Sequence, residues 1–168
     1  MQENKSELKI REELFSAHTT QVVEALNKIK GIGNVTYLPL LFEILLNKPE
    51  KEVEKEILFI LNNLKAKEAV PVLTQALKNP DYLPIRKKLT CACWQNGLNF
   101  KNSLPLFIDL VIQEDWETGF EALTVIENMN EFPEQVVVDL EKEKITQALN
   151  AVSEQKKYFL QEILKLIG

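Results

Sequence analysis

A proline that recurs before a helical pattern of apolar residues is the feature that most restricts how this chain folds. Pro39, Pro71 and Pro105 are 32 and 34 residues apart. After each proline, apolar residues recur at the i, i+3, i+4 spacing that places them on one face of a helix. These residues are Leu41, Ile44 and Leu45, then Leu73, Ala76 and Leu77, then Phe107, Leu110 and Val111. A period of this length is typical of helical repeat proteins.

A polar break and a second amphipathic segment follow each of these helices. The breaks read NKPEKE, KNPDY and QEDWE. The second segments place the following residues on one face: Val53, Ile57, Ile60, Leu61 and Leu64; Ile85, Leu89, Ala92 and Cys93, with Asn96 beneath them; and Thr118, Ala122, Val125, Ile126 and Met129. The third set fits when its loop is one residue shorter. Three helix pairs with a common register therefore predict a true repeat.

The flanking sequences extend this pattern in both directions. TTQVVEALNKIKGIG is predicted as a helix with Val22, Leu26 and Ile29 facing inward, after a first helix around residues 4–16. The last 36 residues contain a final and less regular pair, as terminal repeats usually do. We therefore predict an all-α fold of about five antiparallel helix pairs that forms one domain over residues 1–168. The predicted units are approximately 4–33, 34–65, 66–98, 99–131 and 132–168.

The charge of the chain is unevenly distributed between two neighbouring units. The net charge is −5, which argues against general nucleic-acid binding. Residues 65–98 nevertheless carry six basic and two acidic side chains, whereas residues 99–132 carry one basic and seven acidic ones. Either the two blocks simply attract each other, or the basic block is a binding surface. The sequence leaves both interpretations open.

The sequence offers little support for a metal centre, a cofactor or catalysis. Cys91 and Cys93 lie about 200° apart around a helix and therefore cannot form a disulfide with each other. No further cysteine is present, and His18 is the only histidine, so a zinc site lacks ligands. Free thiols, an N-terminal stretch (MQENKSELKIREEL) without a signal peptide, and the absence of an apolar run of about 18 residues predict a cytoplasmic protein with no membrane partner. We expect no cofactor, no metal and no enzymatic activity.

The repeat unit resembles the HEAT repeat and its HEAT-like relatives. VPVLTQALKNPDYLPIRKKLTCACWQNG carries the best match, through Val70-Pro71, Asp81, Ile85-Arg86 and the small pair Ala92-Cys93. The resemblance covers residues 20–130 well and the ends loosely. It departs from the family where Glu54 and Gly119 stand in place of Arg86, so the aspartate–arginine contacts between repeats are expected only in part.

The resemblance implies a fold and a range of functions. The fold is a right-handed α-α superhelix, or solenoid, in which the first helices lie outside and the second helices line a concave face. Most relatives are protein-binding scaffolds, but some are DNA glycosylases, phycobilin lyases or di-iron deoxyhypusine hydroxylases. The hydroxylase option fails because its clustered histidine ligands are missing here.

One face of the second helices carries the candidate binding residues. On a helical wheel, Lys87, Thr90, Cys91 and Trp94 point away from the core of their helix, and the 99–131 unit places Phe120, Leu123, Thr124 and Glu127 similarly. The predicted partner-binding residues are Lys55, Phe59, Asn62, Lys87, Cys91, Trp94, Phe120, Glu127, Tyr158 and Glu162. An aromatic strip with mixed charge around it predicts a groove for a protein or peptide, with Trp94 as its main anchor. Extra core packing, caused by superhelical curvature, is the competing interpretation.

Two further hypotheses come from the same residues. A nucleic-acid-binding protein of the HEAT-like glycosylase type would use the 66–98 unit, with Arg86, Lys87 and Lys88 on phosphates and Trp94 stacked on a base. The acidic unit beside it would repel the same phosphates, so nucleic acid is the less favoured partner. Alternatively, the C-terminal helix YFLQEILKLIG docks on a second copy and forms a homodimer.

A substitution at Leu89 tests the predicted core. We expect Leu89→Ala to lower the free energy of unfolding by about 2–5 kcal/mol, because a buried leucine leaves a cavity when truncated. The sequence predicts that Trp94→Ala costs folding little. Urea denaturation followed by circular dichroism measures both variants, and a wild-type midpoint for Leu89→Ala would contradict the predicted register.

Overall fold

All regular secondary structure in the part of the chain that the structure describes is helical. The computed structural model describes residues 5–32 and 35–168. Its α-helices are α1 (Lys5–Leu14), α2 (Thr19–Ile32), α3 (Leu38–Leu46), α4 (Lys51–Asn62), α5 (Ala69–Lys78), α6 (Arg86–Gln95), α7 (Leu104–Gln113), α8 (Trp116–Glu127), α9 (Gln135–Ala148) and α10 (Glu154–Ile167). Short 3₁₀ segments lie at Val35–Tyr37, Pro80–Ile85 and Lys101–Ser103. The prediction of an all-α fold is confirmed; the predicted unit boundaries at residues 4, 33 and 34 lie outside the described residues.

Local sequence signals explain where several helices begin. Pro39 and Pro105 are the second residues of α3 and α7, where a missing N–H costs nothing because first-turn amides have no intrahelical partner. The carboxylate of Asp115 caps α8 by accepting a hydrogen bond of 2.7 Å from the Thr118 amide. The Ser153 hydroxyl caps α10 in the same way. The turns between helices are therefore specified by the chain itself.

The core lies where the two amphipathic patterns meet. The pattern after each proline predicted nine inward-facing apolar residues on α3, α5 and α7. All nine are buried. The faces predicted for α4, α6 and α8 are buried as well, including Asn96 just after α6. Leu64 and Met129 are only partly buried, because they lie beyond the last residues of α4 and α8. The predicted register of both helices in each pair is confirmed.

The even-numbered helices pack side by side in chain order. Each odd-numbered helix contacts the even-numbered helix that follows it. Each even-numbered helix also contacts the next even-numbered one, from α2 through α4, α6 and α8 to α10. Helix α6 therefore has α4, α5 and α8 around it. The expectation that Thr90 and Leu123 face away from the core is wrong, since both are buried. A helical wheel describes one helix alone and does not show the neighbouring helices that cover its sides.

An ion pair between Arg86 and Glu114 joins the α5–α6 helix pair to the α7–α8 pair. Arg86 opens α6, and its guanidinium donates to the carboxylate of Glu114 in the turn between α7 and α8 and to the carbonyl of Asn79 at 3.2 Å. The two charged side chains are only 12% and 16% exposed. Because water is largely excluded, removing one partner leaves the other charge poorly solvated.

This ion pair gives a stability prediction. We expect Arg86→Ala to lower the free energy of unfolding by about 3 kcal/mol, at the lower end of the range for breaking buried ion pairs. Lys67→Ala, at an exposed lysine outside the helices, is the matched control, and its effect should be within about 0.5 kcal/mol. Denaturant titration measures both, and equal effects of the two substitutions would contradict a structural role for Arg86.

Candidate functional site

The predicted partner-binding residues lie on four even-numbered helices. Lys55, Phe59 and Asn62 are on α4; Lys87, Cys91 and Trp94 are on α6; Phe120 and Glu127 are on α8; Tyr158 and Glu162 are on α10. Those with high exposure are Lys55, Phe59, Lys87, Phe120, Glu127 and Tyr158, whereas Asn62, Cys91, Trp94 and Glu162 are partly buried. The middle of the predicted strip is therefore less open than its two ends.

Trp94 is tied to the neighbouring helix. Its indole packs against the core, and its N–H donates a hydrogen bond of 2.8 Å to the Glu121 carboxylate on α8. A buried or half-buried indole needs such an acceptor, and Glu121 supplies it. Trp94 is thus less available as an anchor than the sequence predicts, and Trp94→Ala is expected to disturb the α6–α8 contact as well as the surface.

The contact between α6 and α8 is lined with opposite charges. In addition to the Arg86–Glu114 pair, Lys87 donates to Glu117 at 2.9 Å, which raises the pKa of the lysine. Lys88 forms an ion pair of 2.7 Å with Glu54 on the other side of α6. The basic block of the 66–98 unit therefore contacts acidic residues of both adjacent units, which favours the interpretation that the charge blocks attract each other.

Phe59 lies on an exposed surface of mixed charge near the N-terminal end of the even-numbered row. The ring is 53% exposed, and Lys30 Nζ of α2 stands 4.6 Å from its centroid, within cation–π distance. Lys30 also forms an ion pair with Glu56. We define the Phe59 patch by the residues that border one shallow depression, which are Lys30, Lys51, Glu54, Lys55, Glu56, Leu58, Phe59 and Asn62.

A second aromatic surface lies on α8 and α10. Phe120 and Tyr158 are 49% and 58% exposed, and their ring centroids lie 6.0 and 6.2 Å from that of Phe159, which is buried between them and the core. Trp116, at the start of α8, is 53% exposed and precedes Phe120 by one helical turn. We define the Phe120 patch by Trp116, Phe120 and Tyr158.

Sequence reasoning missed Trp116 as a surface aromatic. It falls within QEDWE, which the repeat pattern assigns to a polar turn. The structure begins α8 at this residue, because Asp115 caps the helix immediately before it. The four-residue spacing between Trp116 and Phe120 was the available signal, since residues at i and i+4 share a helix face.

The two cysteines differ in accessibility, and neither is part of a reactive constellation. Cys93 is fully buried, and burial raises the pKa of its thiol strongly. Cys91 is half-buried beside Trp94; burial, followed by the charge of Glu121, raises the pKa of its thiol as well. Within the described residues, no cluster of three or more histidine, cysteine, aspartate or glutamate side chains is arranged to hold a metal ion. None of the helices in these ranges is long and apolar enough to cross a membrane.

Comparison with known proteins adds no assignment. The sequence matches no protein-family model, and it matches no curated protein at a significant level. The resemblance to HEAT repeats therefore stays a prediction that depends on the residues quoted for it.

Thiol reactivity tests the environments of the two cysteines. The thiolate is the nucleophile, and a raised pKa lowers its population at neutral pH, so we expect Cys91 to react with 5,5′-dithiobis(2-nitrobenzoic acid) more slowly than free cysteine, with a pH profile displaced upward. Cys93 should react only after unfolding. Absorbance of the released thionitrobenzoate measures both, and Cys91→Ser assigns the slow phase. Rapid modification of two thiols in the native protein would contradict this arrangement.

Proposed function

We propose that this protein is a non-catalytic HEAT-like scaffold that binds a protein or peptide in a concave groove lined by the exposed face of its even-numbered helices. The Phe120 patch is the observation that carries the proposal. Three large aromatic side chains, each about half exposed, lie on two adjacent helices. Aromatic side chains grouped in this way are typical of the anchors that dominate binding energy in protein interfaces.

The finer architecture belongs to the same proposal. The packing of α2, α4, α6, α8 and α10 in chain order supports a superhelix, with the even-numbered helices as one wall and the odd-numbered helices as the other. We take its right-handed sense from the resemblance to HEAT repeats. In such an array the face of the even-numbered helices is concave, and both aromatic patches lie on it.

The nucleic-acid alternative is weaker because its residues already contact carboxylates. The guanidinium of Arg86 is bound to Glu114, Lys87 is bound to Glu117, and Lys88 is bound to Glu54. The indole that would stack on a base donates to Glu121. A phosphate backbone would have to displace these partners against the repulsion of an acidic unit.

A homodimer through α10 has less support than the scaffold proposal. Phe159, Leu160, Ile163 and Ile167 of this helix are buried within the protein itself. Leu166 is the exposed aliphatic side chain near its end, and one leucine offers little area for a dimer. Tyr158 belongs to the Phe120 patch.

Affinity capture tests the proposed function. We expect immobilised protein to retain one or more proteins from nuclease-treated lysate, and the double variant Phe120→Ala/Tyr158→Ala to lose them, because the aromatic anchors are gone. Val136→Ala/Leu140→Ala is the matched control, since these two apolar residues of α9 are similarly exposed but lie outside both patches. Circular dichroism and thermal unfolding confirm that all three proteins are folded.

The comparison has clear contrary outcomes. Equal retention by both double variants would overturn the assignment of binding to the Phe120 patch. Retention that disappears with nuclease in the wild type would favour the nucleic-acid alternative instead.

A further inference from the structure

We propose that the Phe120 patch binds a basic segment of a partner protein, in which arginine or lysine side chains accompany a large apolar one. This inference rests on the proposed scaffold function and specifies the chemistry of the partner. It depends on the carboxylates around the three aromatic rings, on the partners of the nearby cations, and on the exposure of the rings themselves.

The helix that carries two of the three rings is acidic. Helix α8 contains no lysine or arginine, and its carboxylates are Glu117, Glu121 and Glu127. The carboxylate of Asp115 caps the helix immediately before its first residue. Lys101 is the one cation of residues 99–132, and it is paired with Glu131 at 2.8 Å. No cation of this unit is therefore left to neutralise α8.

Two of these carboxylates share a side of α8 with the aromatic rings. At about 100° per residue, Trp116, Phe120 and Glu127 fall within about 40° of one another around the helix axis. Glu117 lies about 60° from Phe120 and slightly less than one turn before it. Both Glu117 and Glu127 are exposed. The part of α8 that a partner would contact therefore combines two large rings with two accessible carboxylates.

The cations of the two neighbouring helices are already bound. Those that form ion pairs with carboxylates are Arg86, Lys87 and Lys88 on α6 and Lys157 and Lys165 on α10. The third lysine of α10, Lys156, is partly buried and donates to the Ile112 carbonyl at 2.9 Å. By contrast, Asp115, Glu121 and Glu127 form no ion pair among the described residues. The surface thus keeps an excess of negative charge, which attracts a cationic partner.

The rings of the patch are open to a cation from outside. Trp116, Phe120 and Tyr158 are each about half exposed. Within the described ranges, the cation that lies over an aromatic ring is Lys30, over Phe59, so no cation of the protein covers these three rings. An ammonium or guanidinium within about 6 Å of a ring centroid is attracted by the negative face of the ring, most strongly for tryptophan. The planar guanidinium of arginine also stacks on such rings.

The positions of Glu117 and Glu127 set the spacing of the charges in the partner. Ten residues of α-helix rise about 15 Å, and Phe120 lies between the two carboxylates. Glu117 accepts from Lys87 through one carboxylate oxygen, and its side chain is 49% exposed, so the other oxygen can accept from a partner. A segment with basic side chains about 15 Å apart and a large apolar side chain between them matches this order.

Selection from a random peptide library tests the proposal. We expect short displayed peptides enriched on the wild-type protein to carry net positive charge and at least one aromatic or large aliphatic residue. A fluorescein-labelled peptide from this set should bind Phe120→Ala/Tyr158→Ala at least about tenfold more weakly by fluorescence polarisation, because the aromatic anchors are gone. Binding should also weaken between about 50 and 500 mM salt, because screening acts on exposed charges.

A pair of charge reversals separates the local charge of the patch from the net charge of the protein. Glu127→Lys should weaken binding of the same peptide at least about threefold, since it places a cation beside the rings. Glu68→Lys is the matched control, because Glu68 is exposed, forms no side-chain cap and lies outside both patches. It should change affinity by less than about twofold. Circular dichroism and thermal unfolding confirm the fold of each variant before binding is measured.

Each contrary outcome has a distinct meaning. Equal weakening by Glu127→Lys and Glu68→Lys would overturn the basic docking site, since only the overall charge would then matter. Enriched peptides that are neutral or acidic, and that still lose affinity for Phe120→Ala/Tyr158→Ala, would overturn the basic partner and support the scaffold function. No enrichment on the wild type above Phe120→Ala/Tyr158→Ala would overturn both proposals.

Discussion

The side-by-side contact of α6 with α8 is the interaction on which much of the remaining structure depends. Helix α6 is short and carries basic residues, so its own apolar face is small. It is held by α4, α5 and α8 together, and the Arg86–Glu114 pair fixes its first turn against the next helix pair. Because each even-numbered helix contacts the next, the geometry at α6 sets the relation between the first and second halves of the row.

This contact also decides which charges are available on the surface. The basic unit is flanked by acidic residues on both sides, and three of its six cations, all on α6, form ion pairs there. The positive charge of α6 itself is thus neutralised by carboxylates of the two neighbouring units, and these ion pairs stabilise the packing of α6. On α4, Glu54 and Glu56 pair with Lys88 and Lys30, while Lys51, Glu52 and Lys55 are exposed and form no ion pair among the described residues, so this surface carries both charges.

The α6–α8 contact also divides the exposed aromatic residues into two groups. The sequence predicts one strip across four helices, with Trp94 at its centre. In the structure Trp94 is bound to Glu121, so the strip separates into the Phe59 patch and the Phe120 patch, with a polar contact between them. The Phe59 patch lies among side chains of both charges, whereas the Phe120 patch lies beside the exposed carboxylates of Glu117 and Glu127.

The sequence by itself determined the helices, their pairing and the residues that form the core. Apolar spacing and prolines are local signals, and they predicted the buried faces of α3 to α8 with two kinds of error: Leu64 and Met129, beyond helix ends, are only partly buried, and Thr90 and Leu123, expected to face outward, are buried. Only the tertiary structure decided how open each outward residue is. Exposure depends on the helices on either side and on charges about thirty residues away, which explains why Thr90 is buried, why Trp94 is occupied and why Trp116 is open.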